Sequence, residues 1–246
     1  MKQYVSAFVM CQSMFCAIPF PCHLWEEKAR DKMLLFLPVV GLEMGALWVL
    51  AAWVCRWLAL PNLIFGLVVS VFPFVVSGYL HLDGFMDVTD AIGSCRSLER
   101  RREILKDSHV GAFAVIGIVL LALSQFALGV SVAQDSDIRI LLFVPAVSRC
   151  CSALAVTVLP PMSTSQYAAC EKNTGRVVAL SGMLACFMAG GFLLCGITGV
   201  VLLGCAAGYG LALRKAYRAL EGMNGDISGY CLTIAELCAL AVLALM

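Results

Sequence analysis

Charge is scarce in this sequence. Of its 246 residues only 17 are Lys or Arg and 16 are Asp or Glu, 13% together, against about 25% in an ordinary soluble domain. Hydrophobic residues make up 61%, where a soluble chain has about 45–50%. That composition excludes a soluble globular protein. A net charge of +1 lacks the basic surplus that a nucleic-acid partner requires. The 13 cysteines form no CxxC pair and no metal-ligand spacing. They are scattered in apolar runs as small buried hydrophobes, with Cys150–Cys151 a chance neighbour pair, so no disulfide framework is expected. Repeats and low-complexity stretches are missing. A cleaved leader is not expected either. The apolar start from Met1 to Pro21 carries Lys2, Gln12 and Ser13 and ends in IPFPC, which suits a short first membrane helix or an interfacial helix. What is left is an all-α, polytopic integral membrane bundle, one unit over residues 1–246, with about seven to eight membrane segments.

The apolar runs place those segments. The first, about Val5 to Ile18, stops at Pro19 and Pro21 and is short for a span. A polar loop of mixed sign, His23 to Lys32, follows. Met33 to Leu60 is long enough to cross and holds Gly41 and Gly45, a GxxxG that permits close helix packing. Its Glu43 must face protein or water. Pro61 to Leu80 is uncharged and delivers the chain into His81, Leu82 and Asp83 on a continuing helix. Val110 to Ala133 is the next span, with Asp135 and Asp137 in a short loop behind it. Ile138 to Leu159 carries Arg149 near its middle, and an arginine there needs a carboxylate, phosphate or carbonyl partner. A polar loop runs from Ser163 to Arg176. Val177 to Leu213 is too long for one span and divides near Gly190–Gly199. After a loop from Arg214 to Gly229, Tyr230 to Met246 carries Glu236. If the segments from Met33 onward all cross, four loops on one side hold 13 of the 17 Lys and Arg. By the positive-inside rule that side is cytoplasmic.

The densest charge is a single hydrophilic stretch, His81 to Gly111, with five of the basic and six of the acidic residues. In a helix, Asp83, Asp87 and Asp90 fall within about 60° of one another, on one stripe. Three carboxylates so placed repel unless a cation sits among them. Oxygen ligands of this kind suit Mg²⁺ or Mn²⁺, which keep waters and also bind substrate phosphates. The alternative is a solvated face, but solvated faces mix signs. The cations come later, at Arg96, Arg100, Arg101, Arg102 and Lys106. Ser97 is placed to cap a basic amphipathic helix over residues 98–107, which either lies on anionic headgroups or binds phosphate.

Several separated stretches resemble one family, cobalamin synthase, the membrane-embedded adenosylcobinamide-GDP ribazoletransferases. FLPVVGLEMGA at 36–46 looks like its early helix. HLDGFMDVTDAIGS at 81–94 resembles its acidic signature, H-x-D-G-x-x-D-x-x-D. REILKDSHVGAF at 102–113, AVSRC at 146–150 and NGDISGYCLTIAEL at 224–237 resemble later elements, in the family's order. Two positions depart from the pattern: His109 and Ala17 stand where the family usually has Arg.

The resemblance implies that a ribose hydroxyl of α-ribazole, or of its 5′-phosphate, attacks the phosphate attached to adenosylcobinamide, with GMP leaving and Mg²⁺ required. On that reading Asp83, Asp87 and Asp90 hold one or two Mg²⁺ on the diphosphate. Asp107 adds a ligand or accepts the hydroxyl proton. Arg96, Arg102 and Lys106 stabilise the departing phosphate. Arg149, Asp226 and Glu236 match family positions without a fixed role, the alternative being a buried ion-pair network between helices. His81 is either a supporting partner of the site or an interfacial histidine. Expected partners are the two substrates and the lipid bilayer, with a homo-oligomer allowed, in a bacterial inner membrane with the site facing the cytoplasm. Two rivals share some features. CDP-alcohol phosphotransferases use D-G-x-x-A-R…G-x-x-x-D-x-x-x-D, but the Ala-Arg is missing here and three then two residues lie between the acids. A divalent-cation transporter would place acids at mid-membrane, away from arginines.

Overall fold

The computed structural model describes residues 2–22, 24–132, 136–162 and 173–246. His23, Asp135 and most of the expected 163–176 loop lie outside the described residues. Among the described residues ten α-helices make the fold: α1 Lys2–Phe15, α2 Met33–Trp57, α3 Asn62–Val76, α4 Leu80–Gly93, α5 Leu98–Ile104, α6 Ala112–Ser131, α7 Val144–Val158, α8 Thr174–Cys195, α9 Val200–Leu220 and α10 Gly225–Ala244. Short 3₁₀ turns occupy Glu27–Lys32, Ile138–Leu142 and Gly196–Gly199. The chain is an all-α polytopic bundle. Among the described residues five helical runs are long and apolar enough to cross a membrane, six if α3 and α4 together count as one broken span. The expected seven to eight are not reached as separate runs. One run, Thr174–Leu220, has 47 residues; at 1.5 Å per residue that is about 70 Å, some twice a hydrocarbon core. It breaks where Gly196 takes φ 58°, within the region where the sequence divides it.

Three boundaries differ from the sequence reading, each for a local reason. First, α4 does not continue α3. The axes bend by 91°, because Gly78 and Tyr79 take φ of 61° and 63°. Two successive left-handed residues reverse the helical path, and only the first is a glycine that adopts it freely. Second, residues 225–229, expected in a loop, begin α10, since the Asn224 side chain accepts the Ile227 N–H and caps the helix. Arg214, Lys215 and Arg218 likewise lie on the last turns of α9. Third, α1 does not lie apart from the bundle. Lys32 bonds Gln3, Phe8 meets Phe36 and Gln12 bonds Glu43, so α1 runs alongside the first half of α2. The chain then doubles back, the Glu26 N–H reaching the Met10 sulfur.

Close packing relies on small residues, as lipid supplies no hydrophobic drive between helices. A Cβ on Gly41 would meet the Pro145 carbonyl oxygen at 2.5 Å, and Gly45 sits against the Leu142 carbonyl. The GxxxG of α2 thus seats α7 and the turn before it. At the other face, α5 docks on the end of α9.

Candidate functional site

The site is made where α4 crosses α10. Gly84 lies on the backbone of Asp226: an added Cβ would stand 2.8 Å from its carbonyl oxygen. One turn deeper, Gly229 lies on His81, 3.0 Å from that residue's carbonyl oxygen by the same measure. The Thr233 hydroxyl donates to the His81 carbonyl, and Phe85 stacks on Tyr230 with centroids 5.6 Å apart. Two glycines therefore let the helices touch backbone to backbone and bring Asp83 of α4 beside Asp226 of α10. Asp226 is steadied by the Asn224 amide, 2.7 Å from its Oδ2.

The acids form a mutually repelling group. Burial opposes the charge of Asp87 most, and the charges of Asp83, then Asp226, then Asp90 oppose it further. Asp83 is exposed, and Asp87, Asp90 and Asp226 are half-buried. Asp90 is partly committed elsewhere. Its Oδ1 accepts the Ala114 N–H at the start of α6, and its carboxylate packs on Gly111. It stabilises that helix N-terminus and stands apart from the freer Asp83 and Asp87. Among the described residues no three His, Cys, Asp or Glu side chains converge into a ready metal cage. Mg²⁺ usually takes one or two carboxylates, several waters and a substrate's phosphates, and Asp83 and Asp87 are ligands of that type.

Three cavities adjoin this group. One, about 290 Å³, is lined by Asp83, Asp87 and Asp90 and by the 104–111 segment, including Lys106, Asp107 and His109. A second, about 390 Å³, lies among Arg102, Lys106, Glu221, Asn224 and Asp226. A third, about 200 Å³, runs inward from Asp83 and Asp226 past His81. Lys106 borders the first two, Asp83 the first and third, and Asp226 the second and third. Asp107 is exposed and holds His109: Oδ1 accepts the backbone N–H at 3.1 Å and lies 2.7 Å from Nδ1. Hydrogen bonding to that side chain keeps the Asp107 carboxyl below the usual carboxylate range.

The remaining candidates have other partners. Arg102 donates from Nε to the Leu220 carbonyl and from Nη2 to that of Glu221, and Arg101 reaches the Ala219 carbonyl. These arginines cap the C-terminus of α9, where carbonyls lack helical partners. Helix α5 is thus an anchor, a role neither sequence reading named; Ser97 caps it as expected, over a shorter helix. Arg96 is exposed and borders none of the three cavities. Arg149 and Glu236 also stay out of them. Both are buried, 2.7 Å apart, with Ser148 bonded to the same Glu236 oxygen. That pair is the helix-joining network, while Asp226, expected with it, belongs to the acidic group. Asn224, Gly84 and Gly229 carry site geometry that the sequence reading did not assign. The Asn-Gly-Asp start of α10, an N-cap pattern, was the available signal.

A family model described as cobalamin-5-phosphate synthase matches residues 7–244. A protein of Clostridium perfringens called adenosylcobinamide-GDP ribazoletransferase is 36% identical over the whole of both chains. Proteins of the same name are 32% identical in Clostridium botulinum, covering 98% of this chain and 97% of the relative, and 30% identical in Alkaliphilus oremlandii, covering 94% of each. No solved structure matches the chain.

Proposed function

The chain belongs to the cobalamin-5-phosphate synthase family, and from that premise we propose how its acidic cleft carries the family's reaction. It is an adenosylcobinamide-GDP ribazoletransferase of cobalamin biosynthesis. It moves the adenosylcobinamide phosphate group from the GDP conjugate to a hydroxyl of α-ribazole or its 5′-phosphate, and GMP leaves. The observation that carries the site assignment is the α4–α10 crossing. It sets Asp83 and Asp226 side by side where three cavities meet.

Asp83 and Asp87, with Asp226 alongside, are the carboxylates that hold Mg²⁺, and Asp90 supports them from the α6 N-terminus. The ion, when bound, offsets the charge of the diphosphate and of the transferring phosphoryl group. Lys106 faces both the acidic cavity and the one beside it, so its ammonium meets the phosphate of departing GMP. Asp107, held ionised by its His109 bond, accepts the proton of the attacking hydroxyl. Arg102 acts at one remove, fixing α5 and hence Lys106 against α9. The lysines and arginines gathered at this face support a cytoplasmic orientation in the bacterial inner membrane.

The test is direct. Purified protein in liposomes is given adenosylcobinamide-GDP, α-ribazole 5′-phosphate and Mg²⁺, and GMP release and corrinoid product are followed. Product that EDTA abolishes and Mg²⁺ restores is expected. Product formation indifferent to EDTA removes the metal from the reading.

A further inference from the structure

We propose that the third cavity, between α1, α2, α4, α7 and α10, is the seat of the acceptor's heterocyclic base, and that His81 reads that base through a hydrogen bond to its ring nitrogen. The inference rests on the proposed reaction, which requires a ribazole to lie beside Asp83.

Four observations lead there. The cavity begins at Asp83 and Asp226, where the reacting phosphate is placed, and runs inward from them. Its volume, about 200 Å³, is below the 300–1,000 Å³ usual for whole ligands. It admits one planar fused ring and excludes a corrinoid or a complete nucleotide. Away from Asp83 and Asp226 its lining is apolar at Phe15, Leu34, Leu37, Val156 and Leu232, with the Ser152 and Ser228 hydroxyls hydrogen-bonded to each other. Such a wall suits an alkylated benzimidazole and not guanine, whose edge needs several polar partners. Finally, His81 is 8% exposed, borders the cavity, and its Nε2 is buried with no hydrogen-bond partner. Buried polar atoms are otherwise nearly always paired. Its ring is fixed against Phe15, centroids 6.2 Å apart at 20°, and its carbonyl against Thr233. A benzimidazole riboside bonded through one nitrogen keeps a lone pair on the other. The His81 tautomer with its proton on Nε2 donates to that lone pair. A base held here leaves the ribose at the mouth, next to Asp83, where its hydroxyl must be.

The geometry makes α1 part of the enzyme's specificity, since Phe15 and Met14 close the cavity on that side.

Two variants of the full-length protein in detergent test this, with α-ribazole, its indole analogue (carbon in place of the free ring nitrogen) and adenosylcobinamide-GDP titrated separately. Val156→Trp fills the cavity from α7 and is expected to weaken α-ribazole about tenfold or more, with adenosylcobinamide-GDP unaffected. His81→Phe keeps the stack on Phe15 and removes Nε2. It is expected to erase the preference for α-ribazole over the indole analogue and to leave the analogue's own affinity in place. The pocket assignment is overturned if α-ribazole binds Val156→Trp as it binds wild type, or if the loss falls on adenosylcobinamide-GDP. A preference for α-ribazole that survives His81→Phe overturns the role of His81. His81→Phe, nearly isosteric, decides the question even where the tryptophan variant does not fold. Failure of wild-type protein to release GMP strikes the proposed reaction, and the binding titrations still decide the cavity.

Discussion

Gly84→Ala adds one methyl group and should separate site geometry from charge. In the structure the new Cβ stands 2.8 Å from the Asp226 carbonyl oxygen and 2.9 Å from its Cα, where ordinary contact begins at 3.4 Å. Both opposing atoms are backbone in the capped first turn of α10, so no side chain can swing aside. The helices must part by several tenths of an ångström at the point that sets Asp83 against Asp226. Overpacking of this kind costs roughly 1–3 kcal/mol. A displacement near 1 Å in a catalytic constellation can cost about 10²-fold in rate. The expected loss in kcat/KM is therefore about 10- to 10²-fold, equal to about 1.4–2.7 kcal/mol, with every carboxylate still present. The control is Gly210→Ala on α9, where an added Cβ has nothing within 4 Å and activity should hold. GMP release from liposomes measures the rate, and detergent-solubilised yield and thermal unfolding report folding. A Gly84→Ala enzyme within about twofold of wild type would refute the crossing as the organiser of the site.

Other perturbations have definite outcomes. Asp83→Ala should abolish turnover while the protein still inserts and purifies; retained turnover would end its assignment as a metal ligand. Arg149→Ala should destabilise by about 3–5 kcal/mol, since it leaves Glu236 buried without its cation. The double replacement Arg149→Met with Glu236→Leu should recover most of the loss, as read by thermal unfolding; a double variant as unstable as the single would show that the pair does more than join α7 to α10. His109→Phe removes the hydrogen bond that keeps the Asp107 carboxyl low, so that carboxyl rises toward its ordinary range. Asp107 is required ionised, so the acid limb of kcat/KM against pH should move to higher pH in this variant. An unmoved limb would take Asp107 out of the ionisations that govern turnover. Arg102→Gln frees the carbonyls of Leu220 and Glu221 and loosens α5, so KM for adenosylcobinamide-GDP should rise as Lys106 loses its placement; unchanged kinetics would uncouple the two.

The sequence made the helices legible because lipid imposes one rule, long and mainly apolar runs, and α2, α6, α7 and α10 follow it with at most two charged residues each. It made the acidic stripe legible because three like charges at helical spacing have little structural use. It hid what depends on backbone conformation. The 91° turn between α3 and α4 comes from Gly78 and Tyr79, and a tyrosine gives no hint of positive φ. It also hid which partner each charge would find. Arg102 and Lys106 are four apart and alike in composition, yet one spends its guanidinium on the end of α9 and the other faces the cleft. Only the three-dimensional approach of α5 to α9 separates them. Glycines were equally ambiguous: Gly41 and Gly45 announce themselves as a packing pair, whereas Gly84 and Gly229 lie far apart in the chain and become a pair only across the α4–α10 contact.

The fate of the acids separates structural charge from functional charge within one chain. Glu236 sits deep, and the fold meets it with Arg149 at 2.7 Å and a serine hydroxyl. Glu43 finds Gln12, and Asp31 finds Arg176. Among the described residues, a bundle able to supply those partners supplies no arginine or lysine salt bridge to Asp83, Asp87 or Asp226, and the contact of Gly84 with the Asp226 backbone keeps Asp83 beside Asp226. Helix packing that enforces repulsion at one point, while neutralising charge elsewhere, gains nothing in stability from doing so. On the proposed reading, Asp83, Asp87 and Asp226 would be the counter-charge of a divalent cation, and Lys106 that of the remaining phosphate. On this argument removing one acid, as in Asp87→Asn, should raise the folded protein's thermal stability in the absence of Mg²⁺ and lower turnover in its presence. A variant that loses both, or keeps both, would show that the repulsion is not what the site stores.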